Sequence, residues 1–134
     1  MNGFPLKIVT PDGLIYDGTS EEVVVRTTTG DIGILAGHVN CIAPLGMGMA
    51  TIVIEGQKKY AACIGGMISV VDGSVTLVPT TFEWADKIDL ERAEASQERA
   101  KAIIADKNAT ATEHRMADAR LKRAVVRQSV AKLK

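Results

Sequence analysis

Short runs in which apolar and polar residues alternate fill the first part of the chain. PLKIV, GLIY, EEVVVRT, ATIVIEG, KKYAACI, MISVV and SVTLV are rich in β-branched residues and too short for helices of ordinary length. Turn chemistry separates them at Pro11-Asp12-Gly13, Glu55-Gly56, Gly65-Gly66 and Asp72-Gly73. Leu6 and Ile8, and likewise Val23 and Val25, fall on one face of their strands, and TIVI paired with KKYAACI across Glu55-Gly56 is the clearest hairpin. Regular short strands with tight turns predict a sandwich or a flattened barrel.

Beyond Trp84 the period changes. Asp86 or Asp89 can cap a helix that runs to about Lys107, with Leu90, Ala93, Ala100, Ile103 and Ile104 as its apolar stripe. After the loop DKNATA, Thr110 and Glu113 have the spacing of a capping box, and Ala117, Leu121, Ala124 and Val125 would face the first helix. The predicted fold is an N-terminal antiparallel β-sandwich, residues 1–85, followed by a C-terminal antiparallel two-helix hairpin, residues 86–134. An alanine seam lets helices approach closely yet buries little area, so the hairpin is expected to open readily, as a switch element must.

Composition sharpens this division. All 12 Gly, all 4 Pro and all 5 aromatic residues precede position 85, and the later segment is rich in Ala, Glu, Lys and Arg. The formal net charge of +0 conceals a difference: residues 1–85 hold 4 basic against 8 acidic side chains, residues 86–134 hold 12 against 8. The longest nearly uncharged apolar stretch, YAACIGGMISVV, is too short to span a bilayer, and MNGFPLKIV does not read as a signal peptide. Cys41 and Cys63 form no CxxC pair and are expected to be buried, reduced thiols. With only His38 and His114 beside them, the spacing of metal ligands is absent.

The chemistry concentrates in arginines. Arg92 and Arg99 stand seven positions apart on the first helix, and Arg120, Arg123 and Arg127 form a stripe on the second. In a closed hairpin these groups repel one another unless a polyanion takes their guanidinium forks or Glu91, Glu94 and Glu98 neutralise them locally. A basic hairpin could also grip nucleic acid or another acidic partner. Eight interspersed acids and no aromatic residue in that half argue against nucleic acid. No nucleophile and base pair supports a small enzyme, and His38 reads as a turn or packing residue. Trp84 is expected to pack at the junction of the two units, and Met47, Met49 and Met67 to fill gaps in the core or to form apolar contacts with a partner.

Taken together, VTPDGLIY, GDIGILAGH from Gly30 to His38, the Gly65-Gly66 pair and the Ala-rich hairpin resemble the epsilon subunit of bacterial F-type ATP synthases across essentially the whole chain. Ala36 stands where that family commonly has Pro. The resemblance implies a sandwich of about ten strands. It implies a non-catalytic place on the rotor, on the gamma subunit and the membrane-embedded c-ring, at the cytoplasmic face of the cell membrane and peripheral to it through the complex. It implies helices that permit hydrolysis when compact and inhibit it when extended into the alpha/beta head.

Some members of that family bind ATP through (Ile/Leu)-Asp-x-x-Arg-Ala, matched here by Ile88-Asp89-Leu90-Glu91-Arg92-Ala93. By that resemblance Arg92, Arg99, Arg123 and Arg127 are assigned to the triphosphate, and Glu83, Ile88, Asp89 and Ala93 to the nucleoside side. ATP is expected as a regulatory ligand, with no other cofactor and no metal. No glycine-rich phosphate loop is present, so binding without hydrolysis is the expectation.

Overall fold

The computed structural model describes residues 2–133. Ten strands follow one another before any α-helix: β1 (Phe4–Thr10), β2 (Gly13–Ser20), β3 (Glu22–Thr27), β4 (Gly30–Ile34), β5 (Cys41–Pro44), β6 (Met47–Ile54), β7 (Gln57–Ile64), β8 (Met67–Val71), β9 (Ser74–Val78) and β10 (Thr81–Trp84). They form two five-stranded sheets, ordered β2-β1-β9-β8-β5 and β10-β7-β6-β3-β4. Pairing is antiparallel except between β1 and β9, where Leu6, Lys7 and Ile8 run parallel to Val75, Thr76 and Leu77.

The residue pattern signals seven of these strands, and the three it leaves out are explained by their composition. GDIGI carries two glycines, while CIAP and TFEW have only four residues each, too few to display a period. The expected turns form where Glu55 and Gly56 have φ of 52° and 78° and Asp72 and Gly73 have 49° and 82°, the paired positive values of tight hairpin turns. Gly66 answers a different need: at φ +88° a Cβ there would lie 2.0 Å from the Val78 carbonyl oxygen. Any other residue would force β8 away from the chain entering β10.

Alternation sends Phe4, Leu6, Ile8, Val23, Val25, Ile34, Ile52, Ile68, Val70, Val75 and Leu77 into one core between the sheets. Trp84 packs one side of its ring against this core, meeting Phe82 edge-on at 5.0 Å, and stands at the junction as expected. Its remaining surface lines a small cleft with Tyr60 and Leu133, at the end of the last helix. Met47, Met49 and Met67 fill no gap in the core and are surface residues, 36%, 39% and 42% exposed. Cys63 is buried as expected and its thiol is pushed up to about 12 by desolvation, whereas Cys41 is only half-buried.

A three-residue 3₁₀ turn, Ala85–Lys87, leads from β10 into α1 (Leu90–Ala105), and α2 (Ala111–Ala131) returns antiparallel. Asp89, not Asp86, caps α1, accepting from the Arg92 backbone N–H at 3.0 Å. At α2 the capping box closes in both directions: the Glu113 N–H donates to Thr110 Oγ1 at 3.0 Å and the Thr110 N–H to Glu113 Oε1 at 3.2 Å.

The seam is thinner than the apolar stripes suggest. Only Ala93 and Ala100 of α1 and Ala117, Ala124, Val130 and Ala131 of α2 are buried. Leu90, Ile104 and Val125 are exposed, and Ile103 and Leu121 half-buried. The small side chains occupy the line of closest approach and the larger ones flank it. Gln128 Nε2, donating to Gln97 Oε1 at 2.5 Å, ties the helices beside this seam.

A second, smaller apolar cluster attaches the hairpin to the sandwich: Val130 and Ala131 at the end of α2 meet Ala62 on the outer face of β7 and Ala85 and Ile88 of the connecting segment, flanked by Tyr60 and Val126. Removing the two γ-methyl groups of Val130 is expected to weaken docking by about 1–2 kcal/mol. Val130→Ala should then raise amide exchange across α1 and α2 by roughly tenfold or more. It should shift Trp84 emission and leave the exchange of β3 and β6 unchanged; equal acceleration everywhere would mean that the hairpin and the sandwich open together. Below the ordinary thiol value of 9.0 neither the folded nor the unfolded state ionises Cys63 appreciably; above it the unfolded state ionises first, so this thiol's contribution to stability is lost as pH rises toward about 12. At pH 8 Cys41 should therefore be alkylated in the native protein and Cys63 only on unfolding, with mass spectrometry reading the order.

Candidate functional site

The docked hairpin encloses a cavity of about 740 Å³ against the edge of the sandwich, within the ordinary size range of small-molecule sites. Four elements shape it. The β1–β2 turn contributes Thr10 and Asp12, and edge strand β10 contributes Thr81 and Glu83. The first part of α1 and the entry to it supply Ile88, Asp89, Arg92, Ala93, Ser96 and Arg99, and α2 supplies Arg120 and Arg127.

Local structure explains the placement. Successive residues of a strand point to opposite faces, so Phe82 and Trp84 enter the core while Thr81 and Glu83 turn outward to the cavity. Ile88 and Ala93 are buried and form its apolar floor, with Ile88 also packing in the docking cluster. Asp89 is committed to the cap of α1, which holds the Arg92 backbone in place at the cavity mouth.

Seven of the eight residues singled out by sequence therefore meet in one place: Glu83, Ile88, Asp89, Arg92, Ala93, Arg99 and Arg127. Arg123 does not line the cavity, and Arg120 does. The reason is helical geometry. At 3.6 residues per turn, positions seven apart return to within about 20° of one another, whereas Arg123 lies about 40–60° from Arg120 and Arg127. Arg120 and Arg127 share a line in the same way as Arg92 and Arg99, and that spacing was the signal available in the sequence. Thr81 gave no such signal, because its part rests on the tertiary position of β10.

Electrostatically the lining is cationic: Lys87, Arg92, Arg99, Arg120 and Arg127 stand against Asp12, Glu83 and Asp89. Arg127 Nε donates to Glu83 Oε1 at 2.6 Å, a charge-assisted bond joining α2 to the sandwich edge. Among the described residues, Arg92, Arg99 and Arg120 take part in no ion pair. Local neutralisation by the glutamates of α1 is not realised: Glu98 reaches Lys101, at 3.9 Å, and neither Glu91 nor Glu94 pairs with an arginine. Thr81 Oγ1 is buried without a hydrogen-bond partner among the described residues. A buried orphan hydroxyl beside unpaired guanidinium groups is a donor set suited to a phosphorylated, polar ligand.

Residues 3–85 match the family model "ATP synthase, Delta/Epsilon chain, beta-sandwich domain", and residues 86–132 match "ATP synthase, Delta/Epsilon chain, long alpha-helix domain". The ATP synthase epsilon chain of Bacillus velezensis is 41% identical over 131 residues, covering 98% of both chains. That of Bacillus mycoides is 39% identical over 134 residues, covering 100% of each. A chain in the cryo-EM structure of the Euglena gracilis mitochondrial ATP synthase superposes with a TM-score of 0.83 at 23% identity, over 98% of this chain and 82% of that one, a likeness of fold. The chain belongs to the ATP synthase epsilon-chain family.

The Glu83–Arg127 pair is partly open to solvent, with side chains 38% and 26% exposed, so screening limits its strength. A double-mutant cycle on Glu83→Gln and Arg127→Met should give a coupling of about 1 kcal/mol in unfolding experiments at low salt, shrinking toward zero at molar salt. A coupling that salt leaves unchanged would assign the contact to packing of the arginine stem.

Proposed function

We propose that this chain is a non-catalytic subunit of the central stalk of an F-type ATP synthase, and that its hairpin regulates ATP hydrolysis through a bound ATP. Family membership supports the first part: relatives covering the whole length are ATP synthase epsilon chains. The structural neighbours come from assemblies described as OSCP/F1/c-ring and as central stalk/c-ring, the latter from Tetrahymena thermophila with a TM-score of 0.62 at 14% identity. On this reading the sandwich contacts the gamma subunit and the c-ring and couples ion-driven rotation to the catalytic head. The protein is then peripheral to the membrane, at its cytoplasmic face, through the complex. No helix among the described residues is long and apolar enough to cross a membrane.

One observation carries the regulatory part: the cavity gathers guanidinium groups from both helices and a carboxylate from the sandwich edge around one space. A ligand there touches α1, α2 and β10 together, so it binds the compact arrangement and not an extended one. Mass action then favours the compact state by about 2.7 kcal/mol at a concentration a hundred times Kd. The residues bind and orient: Arg92, Arg99 and Arg127 face the phosphates, and Glu83, Asp89, Ile88, Ala93 and the Thr81 hydroxyl form the nucleoside side. Arg123, assigned to the triphosphate by resemblance, lies on α2 next to this wall and does not line the cavity. When the hairpin leaves the sandwich and extends into the alpha/beta head, the cavity ceases to exist and hydrolysis is inhibited. Binding proceeds without turnover, because no glycine-rich phosphate loop or water-positioning group is present in the sequence.

Calorimetric titration of the purified chain with ATP should give saturable one-to-one binding, weakened by roughly tenfold or more in Arg92→Ala. Amide exchange of α1 and α2 should slow in the same samples. Absence of heat up to millimolar ATP would remove the ligand from this reading and leave the coupling role.

A further inference from the structure

A second concave site lies outside the arginine cavity, and strand pairing creates it. β10 pairs with β7 from Thr81 opposite Ile64 to Trp84 opposite Ala61, and the chain then leaves the sheet for the 3₁₀ turn. β7 continues past that point as Lys58, Lys59 and Tyr60, paired there with β6. The gap at the end of the ladder is a cleft of about 290 Å³, lined also by Leu133 beyond α2. That volume is just under the roughly 300–1,000 Å³ of ordinary small-molecule sites, room for one bulky side chain. Tyr60, Trp84 and Leu133 give the cleft apolar surface, and Lys58, Lys59 and Lys87 stand around it against a single carboxylate, Asp86.

The charge of this cleft is opposite to that of the unit that carries it. Residues 1–85 hold 4 basic against 8 acidic side chains, and Lys58 and Lys59, half of the basic ones, are neighbours here. Arg26 is paired with Asp31, whereas among the described residues Lys58, Lys59 and Lys87 take part in no ion pair. Side chains alternate along a strand, so Lys58 and Lys59 leave β7 on opposite faces, and Lys87 comes from the connecting turn. One carboxylate cannot meet cations arranged in this way, but several acids around one bulky apolar side chain can. We propose that the cleft docks an acidic segment of a partner protein, its aromatic anchor against Tyr60 and Trp84 and its carboxylates on the lysines. A flat anionic surface would meet the lysines and leave the concave apolar floor unfilled. The docked segment touches β7, the connecting turn and the residue beyond α2 together, so it holds the hairpin to the sandwich from outside the arginine cavity and independently of any nucleotide.

Trp84, the chain's only tryptophan, lines the cleft and reports on it directly. The test is titration of the full chain with the end-blocked peptide Glu-Asp-Phe-Asp-Glu, read by Trp84 emission. Gln-Asn-Phe-Asn-Gln and Glu-Asp-Ala-Asp-Glu remove the charge and the anchor in turn, and phosphatidylglycerol vesicles form a separate arm. A saturable change is expected with the first peptide, and each of the other two should bind about tenfold more weakly or worse. Combining Lys58→Gln with Lys59→Gln should cost a similar factor, and so should molar salt. Lys58 and Lys59, unlike Lys87, do not line the arginine cavity, so their replacement leaves that site as it is. Lys7→Gln, at an exposed position of β1, should bind as the wild type does, with circular dichroism confirming that each variant is folded. Amide exchange in the last turn of α2 should slow with the peptide bound; unchanged exchange there overturns the hold on the hairpin. Absence of a saturable change up to millimolar peptide, or equal affinity in the double variant, overturns the docking site. An emission change with vesicles and none with the peptide assigns the lysines to a lipid surface and overturns it as well.

Discussion

The contact on which the rest of the site depends is the small apolar cluster between the end of α2 and the outer face of β7. Val130 and Ala131 meet Ala62, Ala85 and Ile88 there, and only Val130 and Ile88 are large enough to contribute roughly 1.5–3 kcal/mol each by burial. Every cavity-facing group on α2 hangs from that attachment. If it releases, Arg127 leaves Glu83, the wall opposite β10 disappears, and Arg99 and Arg120 no longer share a space with Asp89 and Thr81. The weakness of the cluster fits this arrangement, since a docking free energy of a few kcal/mol is of the size a ligand can match.

The alanine seam sets a second constraint, on distance. Ala93 and Ala100 on α1, and Ala117, Ala124 and Ala131 on α2, repeat every seven residues, and so do the arginines that reach the cavity. A common period keeps the small side chains on one line and the guanidinium groups on a neighbouring line along the length of the hairpin. Because helix separation follows the side chains at the contact, small residues hold the axes near the lower end of about 8–10 Å and bring opposed arginines within reach of one ligand. Leucines on the same line would hold the hairpin more firmly and spread the cations apart.

Much of this was legible in the sequence, for reasons that are local. Thr110 and Glu113 specify a cap by their spacing, Asp89 precedes a run of helix formers, and Glu55-Gly56 and Asp72-Gly73 accept the positive φ values that tight turns need. What was misread depends on neighbours distant in sequence. That Thr81 and Glu83 face the hairpin follows from the pairing of β10 with β7, which a four-residue strand does not announce. Leu90, Ile104 and Val125 looked like core and are exposed because the seam is narrow enough for alanine alone. The exchange of Arg123 for Arg120 is the instructive case. Resemblance selected the former, and spacing set both on one stripe with Arg127; only the docked position of α2, which brings Arg120 and not Arg123 to the cavity wall, separates them.

The ion pair between Glu83 and Arg127 gives the two constraints a common consequence. In the compact form Arg127 is held by one carboxylate oxygen of the sandwich edge, which places its guanidinium at the cavity wall. On the proposed reading, phosphate oxygens arriving there would compete with Glu83 for the same donors, and the hydroxyl and amine groups of a nucleoside are donors that would replace them. A bare polyphosphate provides no such replacement and would leave Glu83 beside added negative charge. The same carboxylate that holds α2 to the sandwich edge would thereby disfavour simple polyanions beside it, so on the proposed reading a residue that contacts no phosphate sets the preference for a nucleotide over inorganic phosphate.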